Sequence, residues 1–147
     1  MILSNAEATD AAGRLLAPLL QPGDVIALSG DLGAGKTSFA RGVLAGLGFE
    51  GEVPSPSFAL VIPYAPPAIR LSVWHVDLYR LDGSAEAEQL GLDDALCDSV
   101  LLIEWPERLG DRLWPNALKI TLKDYGDGGR RLTVSVPPSW ESRCPFQ

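Results

Sequence analysis

Gly30-Asp31-Leu32-Gly33-Ala34-Gly35-Lys36-Thr37 follows the pattern glycine, four residues, Gly-Lys-Thr. Each position has a physical task if the segment holds phosphate. Glycines let backbone N–H groups turn inward and approach anionic oxygens with no Cβ in the way. A helix that starts at the end of the loop adds its positive N-terminal end. Lys36 brings a mobile point charge to the outer phosphates, Thr37 a hydroxyl for Mg²⁺, and Ser38 extends the contact into the first helical turn. The competing reading is a glycine-rich turn with a chance lysine, and the flanks decide between them. Upstream, Val25-Ile26-Ala27-Leu28 reads as a buried parallel strand. Downstream, residues 36–47 read as a helix with Phe39, Val43 and Leu47 on one face, and Gly48 can end it. Strand, loop and helix in that order point to a P-loop that binds ATP with Mg²⁺.

Working outward, Ser4 and Glu7 have capping-box spacing. Ala8, Ala11, Ala12, Leu15, Leu16 and Leu19 then follow a helical stripe that Pro22-Gly23 breaks. Residues 58–64 read as a strand ended by Pro63 and Pro66-Pro67, and residues 71–76 as another ending near Asp77. Ser84 can cap a helix over 85–96, interrupted at Gly91. Residues 99–105 hold the strongest apolar run, Val100-Leu101-Leu102-Ile103, followed at once by Glu104. Near the C-terminus Leu118, Ile120 and Leu122 alternate with polar residues, as do Leu132, Val134 and Val136 after Gly126-Asp127-Gly128-Gly129. Two period-2 runs around a glycine-rich turn make an antiparallel β-hairpin. The expected architecture is α/β: a single P-loop NTPase-like domain over 1–147, three-layered, with a mixed central sheet ending in that hairpin. Pro137-Pro138 opens a short tail.

Composition narrows the class. The 147-residue chain carries 19 acidic and 12 basic residues, a net charge of −7. Such a field repels phosphate backbones, so the chain is not expected to hold RNA or DNA alone. ATP is anionic too, so its site needs local donors and a metal, which makes the placement of Lys36 informative. His75 is the only histidine, and Cys97 and Cys144 are far apart, so neither a His-rich zinc site nor a disulfide framework is expected. Cys97 reads as a packing residue. No basic start with an apolar run marks a signal peptide, and no apolar stretch approaches the ~18 residues of a membrane span. The expected location is cytoplasmic, with no membrane partner.

A P-loop needs an acidic group for Mg²⁺ and another to position the attacking water, and in α/β sheets both stand at the carboxyl ends of strands. Asp77 and Glu104 stand there. Glu104 has the stronger signal, because a carboxylate directly after four apolar residues is costly unless paired or metal-bound. Its bland reading is a solvated strand end, and for Asp77 an aspartate bonding local backbone. His75 points opposite Val76 and reads as a packed or surface side chain. Trp105 reads as a core or surface aromatic, with packing near the nucleotide as the alternative, and Arg80 and Arg108 as ordinary surface arginines or contacts to phosphate or a partner.

Four segments together resemble the TsaE family, the small ATPases of bacterial tRNA threonylcarbamoyladenosine synthesis. They are Gly30 to Thr37, Ser55-Pro56-Ser57-Phe58, His75-Val76-Asp77-Leu78-Tyr79-Arg80-Leu81 and Glu104-Trp105-Pro106-Glu107-Arg108. The resemblance spans about residues 9 to 135. It implies partners like TsaB and TsaD, ATP hydrolysis that supports repeated threonylcarbamoyl transfer to adenosine 37 of tRNA, and contact with tRNA only through the complex. By this likeness Thr37 and Glu104 would coordinate Mg²⁺ and Asp77 would support hydrolysis, making Lys36, Asp77 and Glu104 the candidate catalytic side chains. Thr9 and the hairpin near Gly129-Arg130 would flank the adenine. The loop holding Ser57 resembles the family's nucleotide-sensing segment, where the family has threonine.

Other classes compete. A small phosphotransferase would need a basic lid over the transferred phosphoryl group, and no arginine cluster suits that role. A GTPase is disfavoured by the lack of an Asn-Lys-x-Asp segment. A nucleotide-binding module without hydrolysis remains if Asp77 and Glu104 are structural. Slow turnover by the isolated chain is expected, because no arginine finger is evident in cis.

Overall fold

The computed structural model describes residues 1–31, 35–56, 60–82 and 84–146, apart from the Ser84 side chain. Among the described residues seven strands form one mixed sheet in the order β1-β7-β6-β2-β5-β4-β3. These are β1 (Ile2–Leu3), β2 (Val25–Ser29), β3 (Val61–Tyr64), β4 (Val73–Asp77), β5 (Val100–Glu104), β6 (Leu118–Gly126) and β7 (Gly129–Ser135). The centre is parallel, with β2 between β5 and β6, and β4 outside β5. Antiparallel strands complete both flanks, β3 on β4 and β7 then β1 on β6. The mixed sheet and its hairpin are as expected.

Strand periodicity divides the core. Ile26, Leu28, Val100, Leu102, Leu118, Ile120 and Leu122 share one face with α1 (Ala6–Leu16) and α2 (Lys36–Gly46). Val25, Ala27, Val76, Leu101 and Ile103 share the other with Ala87 of α3 (Ser84–Ala87), Leu92 and Ala95 of α4 (Leu92–Ala95), and Leu109. Residues on β2 and β5 point alternately into two buried layers, which is why both strands read as continuous apolar runs.

Local chemistry sets the boundaries. Asn5, not Ser4, caps α1: its Oδ1 accepts from Ala8 N at 2.9 Å. The helix buries Thr9, Ala12, Gly13 and Leu16 and leaves Ala11 and Leu15, both in the expected stripe, exposed. Gly48 ends α2 in the left-handed region, with Gly48 N bonding Ala45 O and Phe49 N bonding Leu44 O. Gly91, at φ 75°, separates α4 from the 3₁₀ turn Glu88–Leu90, as the broken helix was expected to do.

Three expectations need correction. The strand drawn over 58–64 begins only at Val61, because Leu60 is left-handed at φ 66°; residues 57–59 lie outside the described residues. Pro63 sits inside β3 rather than ending it, which an edge strand tolerates because its missing N–H need not face a neighbour. Cys97 is exposed, so it is not a packing residue. The C-terminal tail also does more than trail: Trp140, Cys144 and Phe146 are buried against the α1–α2 layer.

Candidate functional site

The register of the parallel strands brings the site together. Leu28, Glu104 and Asp77 lie level on β2, β5 and β4, at the carboxyl edge where β2 leads into Gly30. Asp77 and Glu104 share parity with Leu28 and Leu102, so both carboxylates face the α2 side. Both are buried, Asp77 at 4% and Glu104 at 3% exposure. Asp77 Oδ1 accepts from Tyr79 N at 2.9 Å, the local bond anticipated for an aspartate near a turn. Glu104 Oε2 lies 2.7 Å from His75 Nε2, so the costly carboxylate is indeed paired.

Lys36 opens α2 behind Gly35, which is left-handed at φ 99°. Its side chain turns into the site rather than into solvent, with 5% exposure. Nζ donates to Gly30 O at 2.5 Å and lies 3.5 Å from the centre of the Trp105 ring. Burial pushes this ammonium below its ordinary value of 10.5, while the charges of Glu104, Glu107, Asp77 and Asp31 act to raise it. One buried cation thus lies in the fields of four carboxylates.

Trp105 takes its place through an unusual backbone. It is left-handed at φ 60°, uncommon for a bulky residue, and its N–H donates to Leu28 O at 3.3 Å. Pro106 then starts the 3₁₀ turn Pro106–Arg112, which returns Glu107 to accept from Ser29 Oγ at 3.0 Å. Tyr79 packs against Trp105 with ring centres 4.8 Å apart, and Arg108 lies 5.9 Å from the Tyr79 ring.

A second corner forms on the other side of the loop. A Cβ on Gly35 would lie 3.5 Å from Thr9 Cγ2 and 3.5 Å from Arg130 Nε. Residues from α1 and β7, 121 positions apart in the chain (130 − 9), therefore meet at the glycine that precedes Lys36. Thr9 is buried, and its Oγ1 donates to Asn5 O at 3.3 Å.

The structure thus gathers Gly30, Asp31, Gly35, Lys36, Asp77, Glu104, Thr9 and Arg130 around one edge of the sheet, with half-buried Thr37 and Ser38 in the first turn of α2. Leu32, Gly33, Ala34 and Ser57 lie outside the described residues. Sequence reasoning missed Glu107 and the partnership of His75 with Glu104, and for Trp105 it weighed a place near the nucleotide but preferred a core or surface aromatic. Pro106 was the available signal for Glu107, since proline favours the first position of a turn of helix.

The donors here suit a hard cation. Carboxylates and the Thr37 hydroxyl are oxygen ligands, and magnesium takes one or two carboxylates with phosphate and water rather than a protein cage. Among the described residues no group of three His, Cys, Asp or Glu converges as such a cage. Thr37 and Glu104 could hold magnesium, and Lys36 with the loop amides could hold phosphate.

A strand running into a glycine-bearing loop, with the following helix opened by a buried lysine, puts the chain in the P-loop NTPase-like class of α/β folds. Residues 3–132 match the family model described as threonylcarbamoyl adenosine biosynthesis protein TsaE, and the chain belongs to the TsaE family. The protein named tRNA threonylcarbamoyladenosine biosynthesis protein TsaE from Bacillus subtilis (strain 168) is 39% identical over 142 residues, 95% of this chain and 87% of its own. Its namesake from Streptomyces coelicolor is 41% identical over 133 residues, covering 84% and 86%. The crystal structure of YdiB from Bacillus subtilis superposes with a TM-score of 0.80 at 34% identity, over 97% of this chain and 88% of that one.

Proposed function

We propose that this chain is the Mg²⁺-dependent, ATP-binding and ATP-hydrolysing component of a tRNA threonylcarbamoyladenosine modification assembly. It acts with TsaB- and TsaD-like partners, meets tRNA only through them, and does not perform the transfer itself. The observation that carries the reading is Lys36: a buried ammonium at the start of α2, in the fields of Asp31, Asp77, Glu104 and Glu107. A lysine held at such a cost of burial is explained by an anionic ligand that takes up its charge.

In this reading Lys36 leaves Gly30 O and binds the outer phosphates, and the amides of residues 32–35 hold the rest. Thr37 and Glu104 hold the magnesium, which when bound neutralises charge on the phosphoryl oxygens. Asp77 orients the attacking water. Thr9 and Arg130 flank the adenine. Among the described residues no helix is long and apolar enough to cross a membrane, in keeping with work beside soluble partners in the cytoplasm.

Calorimetry with ATP and Mg²⁺, followed by hydrolysis assays with and without TsaB and TsaD, tests this. Lys36→Ala should weaken ATP binding roughly ten- to a hundredfold, as expected for loss of a charge-assisted contact. Glu104→Ala should depress hydrolysis more than nucleotide affinity. Turnover should be slow for the isolated chain and rise on mixing with both partners. Well-folded protein that takes up no ATP even beside its partners would end the proposal; phosphate appearing on an acceptor would favour a phosphotransferase.

A further inference from the structure

Among the buried polar side chains described, His75 is one that the mechanism above leaves without a task. His75 on β4 is 0% exposed, and its Nε2 lies 2.7 Å from Oε2 of Glu104 on the neighbouring parallel strand. An ionised carboxylate only accepts, so Nε2 carries the hydrogen of this bond. The other ring nitrogen, Nδ1, is buried with no hydrogen-bond partner among the described residues. A histidine kept merely to fill volume would leave that nitrogen unpaired for no return, because an apolar residue of similar size avoids the penalty. The return is at Nε2, where the ring fixes one oxygen of a carboxylate that is itself almost wholly out of water.

We infer that His75 is a positioning residue: its Nε2–H holds Glu104 Oε2, so that Oε1 is the oxygen left to take magnesium. The inference rests on the reading of Glu104 given under Proposed function. The strand register supports it. His75 pairs with Leu102, two residues before Glu104, and shares its face of the sheet with Asp77, so the ring reaches Glu104 diagonally from below the ligand edge. From there its Nε2 meets one oxygen of the carboxylate. Hydrogen-bond partners of this kind behind a metal ligand typically change metal affinity ten- to a hundredfold when removed.

The test uses the full chain and reads the ratio of ATP dissociation constants measured by calorimetry with EDTA and with Mg²⁺, next to the melting temperature. His75→Leu and His75→Asn remove the donor from the Nε2 position, whereas His75→Gln places an amide N–H there. The expected result is a roughly tenfold or greater loss of the magnesium effect in the Leu and Asn variants. ATP affinity in EDTA should be unchanged, and the Gln variant should recover most of the effect. Should His75→Leu fail to fold, the Asn and Gln pair carries the comparison. A structural role alone would lower the melting temperature of all variants and leave the magnesium effect at the wild-type value, which overturns the inference. Glu104→Gln separates the two levels: if it abolishes the magnesium effect while the His75 variants keep it, only the role of His75 falls. If Glu104→Gln keeps the effect, the reading of Glu104 falls and the inference with it.

Discussion

Lys36 is a charge stored in an unfavourable place. Burial lowers its proton affinity from the ordinary 10.5, and the surrounding carboxylates offset only part of that. The sign follows from linkage. Below the folded value the lysine is charged in folded and unfolded chains alike, and the burial cost is fully present. Between the folded value and 10.5 the folded chain gives up its proton first, so this group's cost shrinks as pH rises; above 10.5 it is gone. A triphosphate favours the ammonium. ATP affinity is therefore expected to fall as pH climbs through the folded value toward 10.5, with proton uptake accompanying binding on that limb. Titration calorimetry in two buffers of different ionisation enthalpy measures that uptake. In Lys36→Met the extra uptake should vanish; its persistence would assign the proton to another group.

The helices that carry the site are pressed together by two glycines. A Cβ on Gly42 of α2 would overlap Asp10 O of α1, and one on Gly13 of α1 would overlap Phe39 O of α2. Gly42→Ala gains about 1 kcal/mol of helix propensity. It also forces two backbones apart, which costs about 1–3 kcal/mol or more in a packed layer. The expected outcome is net destabilisation, seen as a lower urea midpoint with little change in slope; a raised midpoint would mean that the helices separate freely. This close packing was not legible in the sequence, because neither glycine carries a signal of the helix that it will meet. What was legible followed from periodicity and punctuation. The runs of β2 and β5 had to be doubly buried, the hairpin alternated around its glycines, Glu104 stood out directly after an apolar run, and Asp77 stood at the end of a strand-like segment. What escaped depends on register between distant segments. Two residues of β1 carry no period, and the bond from His75 to Glu104 exists only because two strands align.

On the scale of the whole molecule, the tail packs back on the segment that leads into β2. Arg143 donates to both carboxylate oxygens of Asp24 at 2.7 and 2.8 Å and to Leu19 O at 2.7 Å, while its guanidinium lies 3.6 Å from the Trp140 ring centre. Asp24 is 6% exposed and sits just before β2. Removing the arginine leaves that carboxylate buried without its counter-charge, a loss of about 3 kcal/mol at the low end of the range for buried pairs, since Arg143 keeps some contact with water. Arg143→Ala should accordingly lower stability to chemical denaturation by about that amount, and Asp24→Asn combined with it should recover part of the loss, as a double-mutant cycle would measure.

Residues 9 and 130 converge at Gly35 only because the first helix and the last strand bracket everything between them. During synthesis the chain therefore emits its Gly-Lys-Thr loop early but cannot close the Thr9 corner until the ribosome has delivered the hairpin. A nascent chain halted after β5 would possess the loop, Asp77 and Glu104, yet one wall of the cleft would still be unmade.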